Sequence, residues 1–219
     1  MNLKYVTHNR EPFFDLAKKR IHHDSKVLDV GPGSGFFAEF CGRNDFYLFE
    51  GNPKTVETLK QKHSNVYEGL LPELPFESEF FDVIHCSHVV EHLSPEVFYE
   101  TLLSFDRCLK VGGYMVISAP MMWEEFYDDL SHIRPYPPKV YKNYLCKKAG
   151  NSRTRTTISD AYIMEEEVYR YRRVNPYKDY TARRDDFFFK GIVKLLRFIG
   201  DKFIRKYEKT GYTIVIKKM

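Results

Sequence analysis

Residues 27–35 read VLDVGPGSG, with glycines at Gly31, Gly33 and Gly35 directly after a short apolar, β-branched run. Positions without a Cβ let backbone amides approach a bound nucleoside, and a helix start behind such a loop offers further free N–H groups. A dinucleotide fingerprint needs G-x-G-x-x-G, which would place glycine where this chain has Phe36; here the pattern is G-x-G-x-G, preceded by Asp29. The spacing disfavours NAD and leaves another nucleoside ligand as the expectation. About twenty residues beyond the loop, Glu50 closes a second apolar run. A carboxylate at that strand end can accept hydrogen bonds from both hydroxyls of a ribose.

Positioning these groups requires an alternation of strands and helices, and the chain supplies one. Lys26–Val30 is a strand followed by a helix from Phe36 to Cys41; Phe46–Glu50 is a second strand, after which Asn52 is an N-cap with Pro53 at the first helical position. Residues 65–67 form a short third strand and Phe81–Cys86 a strong fourth. Ser94-Pro95-Glu96 opens a helix to Leu109. The Gly112-Gly113 turn leads to a strand at Tyr114–Ala119, Pro138–Lys148 reads as a helix closed by Gly150, and Tyr212–Lys217 is a last strand, expected antiparallel at a sheet edge. The fold class is α/β, a Rossmann-like, doubly wound, mostly parallel sheet in one domain over residues 1–219. Residues 159–209, rich in Arg, Tyr and Phe, are expected to be a helical insertion. Within it, residues 187–207 read as a basic amphipathic helix, with Phe188, Ile192, Leu195, Leu196, Ile199, Phe203 and Tyr207 on one face and Lys190, Lys194, Arg197 and Arg205 on another.

Composition sets outer bounds. Hydrophobic residues make up 43%, which excludes a disordered chain, and a net charge of +4 is too small for wholesale nucleic-acid binding. Cys41, Cys86, Cys108 and Cys146 are scattered without the close pairing of a zinc knuckle, so reduced thiols are expected and no metal ligand set is assigned. No signal peptide or run of about 18 apolar residues occurs, giving a cytoplasmic expectation. Residues 187–207 add an expected peripheral contact with the inner face of an anionic membrane, set against their more usual use in covering a core or a homodimer interface.

The series VLDVGPGSG, YLFEGNP, LPFESEFFDVIHCSHVVEHL and LKVGGYMVISAP resembles the successive motifs of class I S-adenosylmethionine-dependent methyltransferases, type 11 in particular, over residues 26–120. The resemblance implies a seven-stranded sheet and S-adenosylmethionine as methyl donor, with Asp29, Gly31 and Gly33 around its methionine part and Glu50 on its ribose. It implies that Leu70 and Leu71 follow the third strand at the adenine, where the family commonly has an acidic residue, so that backbone groups or Glu68 must substitute there. Cys86 and Ser87 would line the methionine end through their backbone; Cys86 has no base at fixed spacing that would make it a nucleophile.

Methyl transfer is an in-line displacement governed by positioning in a dry site. For a hydroxyl acceptor His132 is the candidate base, with His88 and His92 as competitors. Residues 128–138 are similar to a loop in bacterial methyltransferases of sugar and surface-glycan biosynthesis. Arg134 could grip an anionic group, and Trp123 and Tyr136 could stack on a ring. The expected reaction is transfer to a hydroxyl of a small molecule or glycan. A quinone or other metabolite acceptor and a non-catalytic donor-binding module are the alternatives. Nucleic acid is disfavoured because His85-Cys86-Ser87-His88 stands where base methylases carry an N/D-P-P-Y/F motif.

Overall fold

A computed structural model describes residues 2–146, 155–177, 187–202 and 204–219. Seven strands form one sheet: β1 (Val27–Val30), β2 (Tyr47–Glu50), β3 (Val66–Glu68), β4 (Phe81–Ser87), β5 (Leu109–Pro120), β6 (Tyr162–Val174) and β7 (Lys206–Lys218). Their spatial order is β3-β2-β1-β4-β5-β7-β6. The first five pair in parallel, and β7 runs antiparallel between β5 and β6. Helices α1 (Glu11–Lys18), α2 (Phe36–Cys41), α3 (Pro53–Lys60), α4 (Pro95–Cys108), α5 (Pro138–Leu145) and α6 (Phe187–Lys202) complete the regular structure.

The helix starts follow the capping chemistry of the sequence. The Asn52 side chain accepts from Lys54 N at 3.0 Å, and Ser94 Oγ accepts from Val97 N at 3.3 Å, each with proline in the first turn behind it. Both faces of the sheet are covered, so the central strands are mostly apolar. Ile84, Cys86, Ile117, Ile214 and Ile216 pack toward Phe98, Leu102 and Phe105 of α4 and Tyr141 of α5. Val83, Val116 and Val215 face the other way, onto Phe14 of α1, Phe37 of α2 and Leu59 of α3.

Three expectations need correction. The last strand is antiparallel but not an edge strand: β6 lies outside it, paired over Tyr162–Val174. The segment 159–209 is therefore a strand as well as a helix, because β6 spends its side chains on ion pairs. Arg20 meets Glu165 at 3.3 Å and Glu166 at 2.6 Å, and Lys142 meets Glu167 at 2.6 Å. Charges of this kind suit the outermost strand of a sheet, whose free edge they protect from pairing. The amphipathic helix stops at Lys202, so Arg205 precedes β7 and Tyr207 belongs to it. Phe189, Ile192, Leu195 and Phe198 of α6 are exposed, and no helix among the described residues is long and apolar enough to cross a membrane. Gly150, Phe203 and the end of the expected 138–148 helix lie outside the described residues.

β7 is tied into the core by polar contacts as well. Tyr212 is buried with its hydroxyl donating to the Tyr136 carbonyl and hydrogen-bonded to Tyr141 Oη at 3.0 Å. Replacing Tyr212 with Phe leaves two buried groups short of a partner. The expected loss is about 1–3 kcal/mol of unfolding free energy. Urea denaturation tests it, and a change under about 0.5 kcal/mol would rule out a structural role for that hydroxyl.

Candidate active site

Every parallel strand delivers a functional position at its carboxyl end, the edge where open α/β sheets bind ligands. After β1 the chain turns through Gly31 (φ +64°) and Gly33 (φ +56°), both in the left-handed region. The turn is locked to the next strand by Gly31 N donating to the Phe49 carbonyl at 2.9 Å. A Cβ on Gly31 would stand 2.4 Å from Val89 Cγ2, whereas one on Gly33 would meet nothing within 4 Å. Gly31 thus serves packing, and Gly33 leaves open space above the loop.

At the end of β2, Glu50 is half-buried; Oε1 accepts from Asn52 N at 2.9 Å, which orients the carboxylate and leaves Oε2 for a ligand. Gly69 N donates to the Glu50 carbonyl at 3.1 Å, drawing the turn after β3 alongside. Leu70 is 74% exposed there with a methyl group over Gly51, an apolar surface beside Glu50, while Leu71 is packed against the core.

Asp29 differs from the expectation in its main contact. It is 2% exposed, and its Oδ1 is 2.7 Å from Nδ1 of His85, its register partner on β4, whose ring stacks on Phe37 at 3.8 Å. Oδ2 is buried without a partner, so one carboxylate oxygen still calls for a donor that the protein does not supply. In the sequence His85 has no binding role beyond its place in the run 85–88; its signal is an imidazole at the centre of a mostly apolar strand, level with the acid of the neighbouring strand. Cys86 is fully buried, and burial pushes its thiol far above the ordinary range. A thiol in that state is no nucleophile. Ser87, partly exposed, closes β4 opposite Ser118.

Beyond β4 stands a polar cluster. His88 has φ +58°, unusual for a residue with a Cβ, and its N–H is held by the Ser118 carbonyl at 2.9 Å. An Arg170 guanidinium nitrogen lies 3.1 Å from His88 Nε2, and His88 Nδ1 lies 3.1 Å from Glu91 Oε1. Arg170 can only donate, so His88 carries its proton on Nδ1 and passes it as a hydrogen bond to Glu91. Burial lowers the pKa of His88, and burial with Arg10 nearby lowers that of Arg170 to about 10. Glu91 is 1% exposed. Arg170, on the unforeseen β6, was the residue least visible in the sequence.

The loop after β5 brings His132 to this cluster, with its ring 5.0 Å from that of His92. It does not bring the three expected acceptor contacts together. Tyr136 is in the core, stacked on Phe98 at 4.0 Å with its hydroxyl donating to the Leu93 carbonyl, so its ring has no face for a sugar. Trp123 has Arg172 over its ring at 4.4 Å, and Arg172 is held by Glu124, Glu125 and Glu208. Arg134 is exposed, its guanidinium 5.4 Å from the Tyr136 ring centroid.

Comparison with known proteins agrees with this layout. Residues 28–117 match the family model of a methyltransferase domain. A rice chloroplast 2-methyl-6-phytyl-1,4-hydroquinone methyltransferase is 24% identical over 150 residues, covering 59% of this chain and 44% of the relative. The sarcosine/dimethylglycine N-methyltransferase of Aphanothece halophytica is 25% identical over 132 residues, covering 51% and 47%. The chain thus spans less than half the length of these relatives. Among solved structures, an S-adenosylmethionine-dependent methyltransferase from Archaeoglobus fulgidus superposes with a TM-score of 0.61 at 20% identity, covering 95% of this chain and 97% of the other. One from Aquifex aeolicus gives 0.53 at 14% identity, covering 97% and 94%. The protein therefore has the fold of S-adenosylmethionine-dependent methyltransferases, and its residues 28–117 are similar to a methyltransferase domain.

Proposed function

We propose that the chain is an enzyme that binds S-adenosylmethionine across the carboxyl ends of β1, β2 and β4 and methylates a hydroxyl of a small molecule or glycan. The observation that carries the reading is the convergence, on one sheet edge, of the open turn at Gly33, the free Glu50 oxygen and the unpaired buried oxygen of Asp29. A nucleoside with an ammonium-bearing tail supplies donors for both carboxylates. When bound, that donor contributes a sulfonium methyl group, transferred in line to the acceptor with departure of the thioether.

The chain's residues hold and orient. Glu50 fixes the ribose and the exposed Leu70 covers the base, an apolar contact where the family's acidic residue is missing. The loop from Asp29 to Gly33 holds the amino-acid tail. Past Ser87, the cluster of His88, Glu91, His92 and His132 provides the polar wall for the acceptor. His132 donates Nδ1–H to the Phe126 carbonyl at 2.6 Å, which leaves the lone pair of a neutral imidazole on Nε2 to take up the acceptor's proton or to bind a Lewis acid. The names of the two relatives point to a hydroquinone and to an amine. They do not choose the acceptor, and the proton-accepting wall favours a hydroxyl.

Isothermal titration with S-adenosylmethionine, S-adenosylhomocysteine and NAD is the test. Micromolar binding of the two sulfur nucleosides alone is the expected result. Binding of NAD, or of none of the three, would overturn the reading; donor binding followed by an acceptor screen yielding only methylated amines would overturn the hydroxyl assignment.

A further inference from the structure

We propose that Glu91, His92 and His132 form a binding site for one first-row divalent metal ion. Glu91 and His92 sit in the short turn directly after β4, and His132 comes from the loop beyond β5, forty positions after His92. One ligand atom from each of the three lies within 4.8 Å of the others. Donor atoms bound to zinc at about 2.0–2.1 Å stand roughly 3.4 Å apart in a tetrahedron, so binding draws the ligand atoms together by about 1.4 Å at most.

Proximity alone would be a weak argument, since partly exposed histidines gather without metals. Two further observations point to a cation. The first is Glu91. Its carboxylate is 1% exposed, Oε1 accepts from His88, and Oε2 is buried with no hydrogen-bond partner. An oxygen in that condition carries the full cost of desolvation, and a coordinated cation removes it. The second is the state of the two rings. His92 Nδ1 lies 3.1 Å from the Ser131 carbonyl and His132 Nδ1 lies 2.6 Å from the Phe126 carbonyl. A carbonyl can only accept, so Nδ1 is the donor in both rings, and the tautomer this selects for the neutral ring has its lone pair on Nε2. Metal-bound histidines are oriented in this manner, by donation from the other ring nitrogen to a backbone carbonyl. His88, held by Arg170, plays the corresponding part for Glu91. Asp129, with Oδ2 3.9 Å from His132 Nε2, adds negative charge at the mouth.

Two imidazoles and one carboxylate select zinc, manganese, cobalt or iron over magnesium or calcium, which prefer oxygen-only sets. Three protein ligands leave a coordination position open, and the ion faces the wall assigned above to the acceptor. An acceptor hydroxyl in that position would be made more acidic by Lewis-acid polarisation and would pass its proton to solvent water. This use of the ion rests on the methyl-transfer reading; the site itself does not. With the ion in place the His132 lone pair is a ligand and not a base, so the two roles exclude each other.

The test uses the full chain, stripped with a chelator and titrated with Co2+ while visible ligand-field absorption is followed, then with Zn2+ by calorimetry. Saturation at one ion per chain is expected. The partly exposed histidines give the decisive variants, because neither lies in the packed core. His92→Gln and His132→Gln should each weaken binding by at least tenfold, given that loss of a supporting partner alone costs about 10–100-fold. Absence of ligand-field bands in the wild type, or histidine variants that bind Co2+ like the wild type, would overturn the site. Donor binding measured separately distinguishes the two proposals: an ion bound by a chain that ignores S-adenosylmethionine keeps the site and removes its role in methyl transfer.

Discussion

Replacing His85 with alanine should lower the unfolding free energy by about 3 kcal/mol, the scale for leaving a buried carboxylate without its hydrogen-bond donor. Asp29 and His85 are each 2% exposed and lie side by side on adjacent parallel strands, 2.7 Å apart through Nδ1 and Oδ1. Without the imidazole the carboxylate has no donor on either oxygen, because Oδ2 has none already. The void between Phe14 and Phe37, which now flank the ring, adds a cavity cost of the same sign. Combining His85→Ala with Asp29→Ala should recover part of the loss, since the double variant buries no orphaned charge. Urea denaturation of the three variants checks this. A single-variant loss under about 1 kcal/mol, or full additivity in the double variant, would show that the pair is not coupled.

Replacing Glu50 with alanine should weaken binding of S-adenosylmethionine by about 1.5–3 kcal/mol, roughly 10–150-fold, through loss of charge-assisted hydrogen bonds. The carboxylate is already oriented by Asn52 N on Oε1, so little ordering cost is spent when a ribose arrives at Oε2. The same substitution leaves only a solvent-accessible amide unpaired at the start of α3, so the fold should be nearly unaffected. Glu50→Gln keeps the shape and one acceptor and should fall between the two. Calorimetry on all three proteins measures it; equal affinities would remove Glu50 from the donor site.

These two residues also mark what was legible in the sequence. Glu50 was readable because a local pattern, an apolar run ending in an acid about twenty residues past a glycine loop, fixes both its element and its edge. The capped starts of α3 and α4 were readable for the same reason: Asn52-Pro53 and Ser94-Pro95 act within one turn. His85 was hidden because its meaning depends on register, and β1 and β4 are separated by more than fifty residues. β6 was hidden by its composition. Three consecutive glutamates mask the period-two pattern, and the pairings that make them tolerable, with Arg20 and Lys142, come from distant segments. Missing β6 meant missing Arg170, and with it the charge that sets the tautomer of His88. Tyr136 and Trp123 failed in the opposite sense: aromatic side chains in a loop look available for stacking until Phe98 and Arg172 are seen covering them.

The placement of β7 inside the sheet bears on how the protein reaches its native state. Tyr114 of β5 pairs with Lys217, 103 positions later (217 − 114), and Pro120 pairs with Gly211. Until that long loop closes, β5 presents a bare edge of apolar residues, Met115, Val116 and Ile117, every one fully buried in the finished sheet. Such non-local pairing slows folding and exposes an adhesive strand in the interval. Recovery from denaturant should therefore depend steeply on protein concentration, with self-association at the β5 edge competing against the arrival of the chain's own seventh strand.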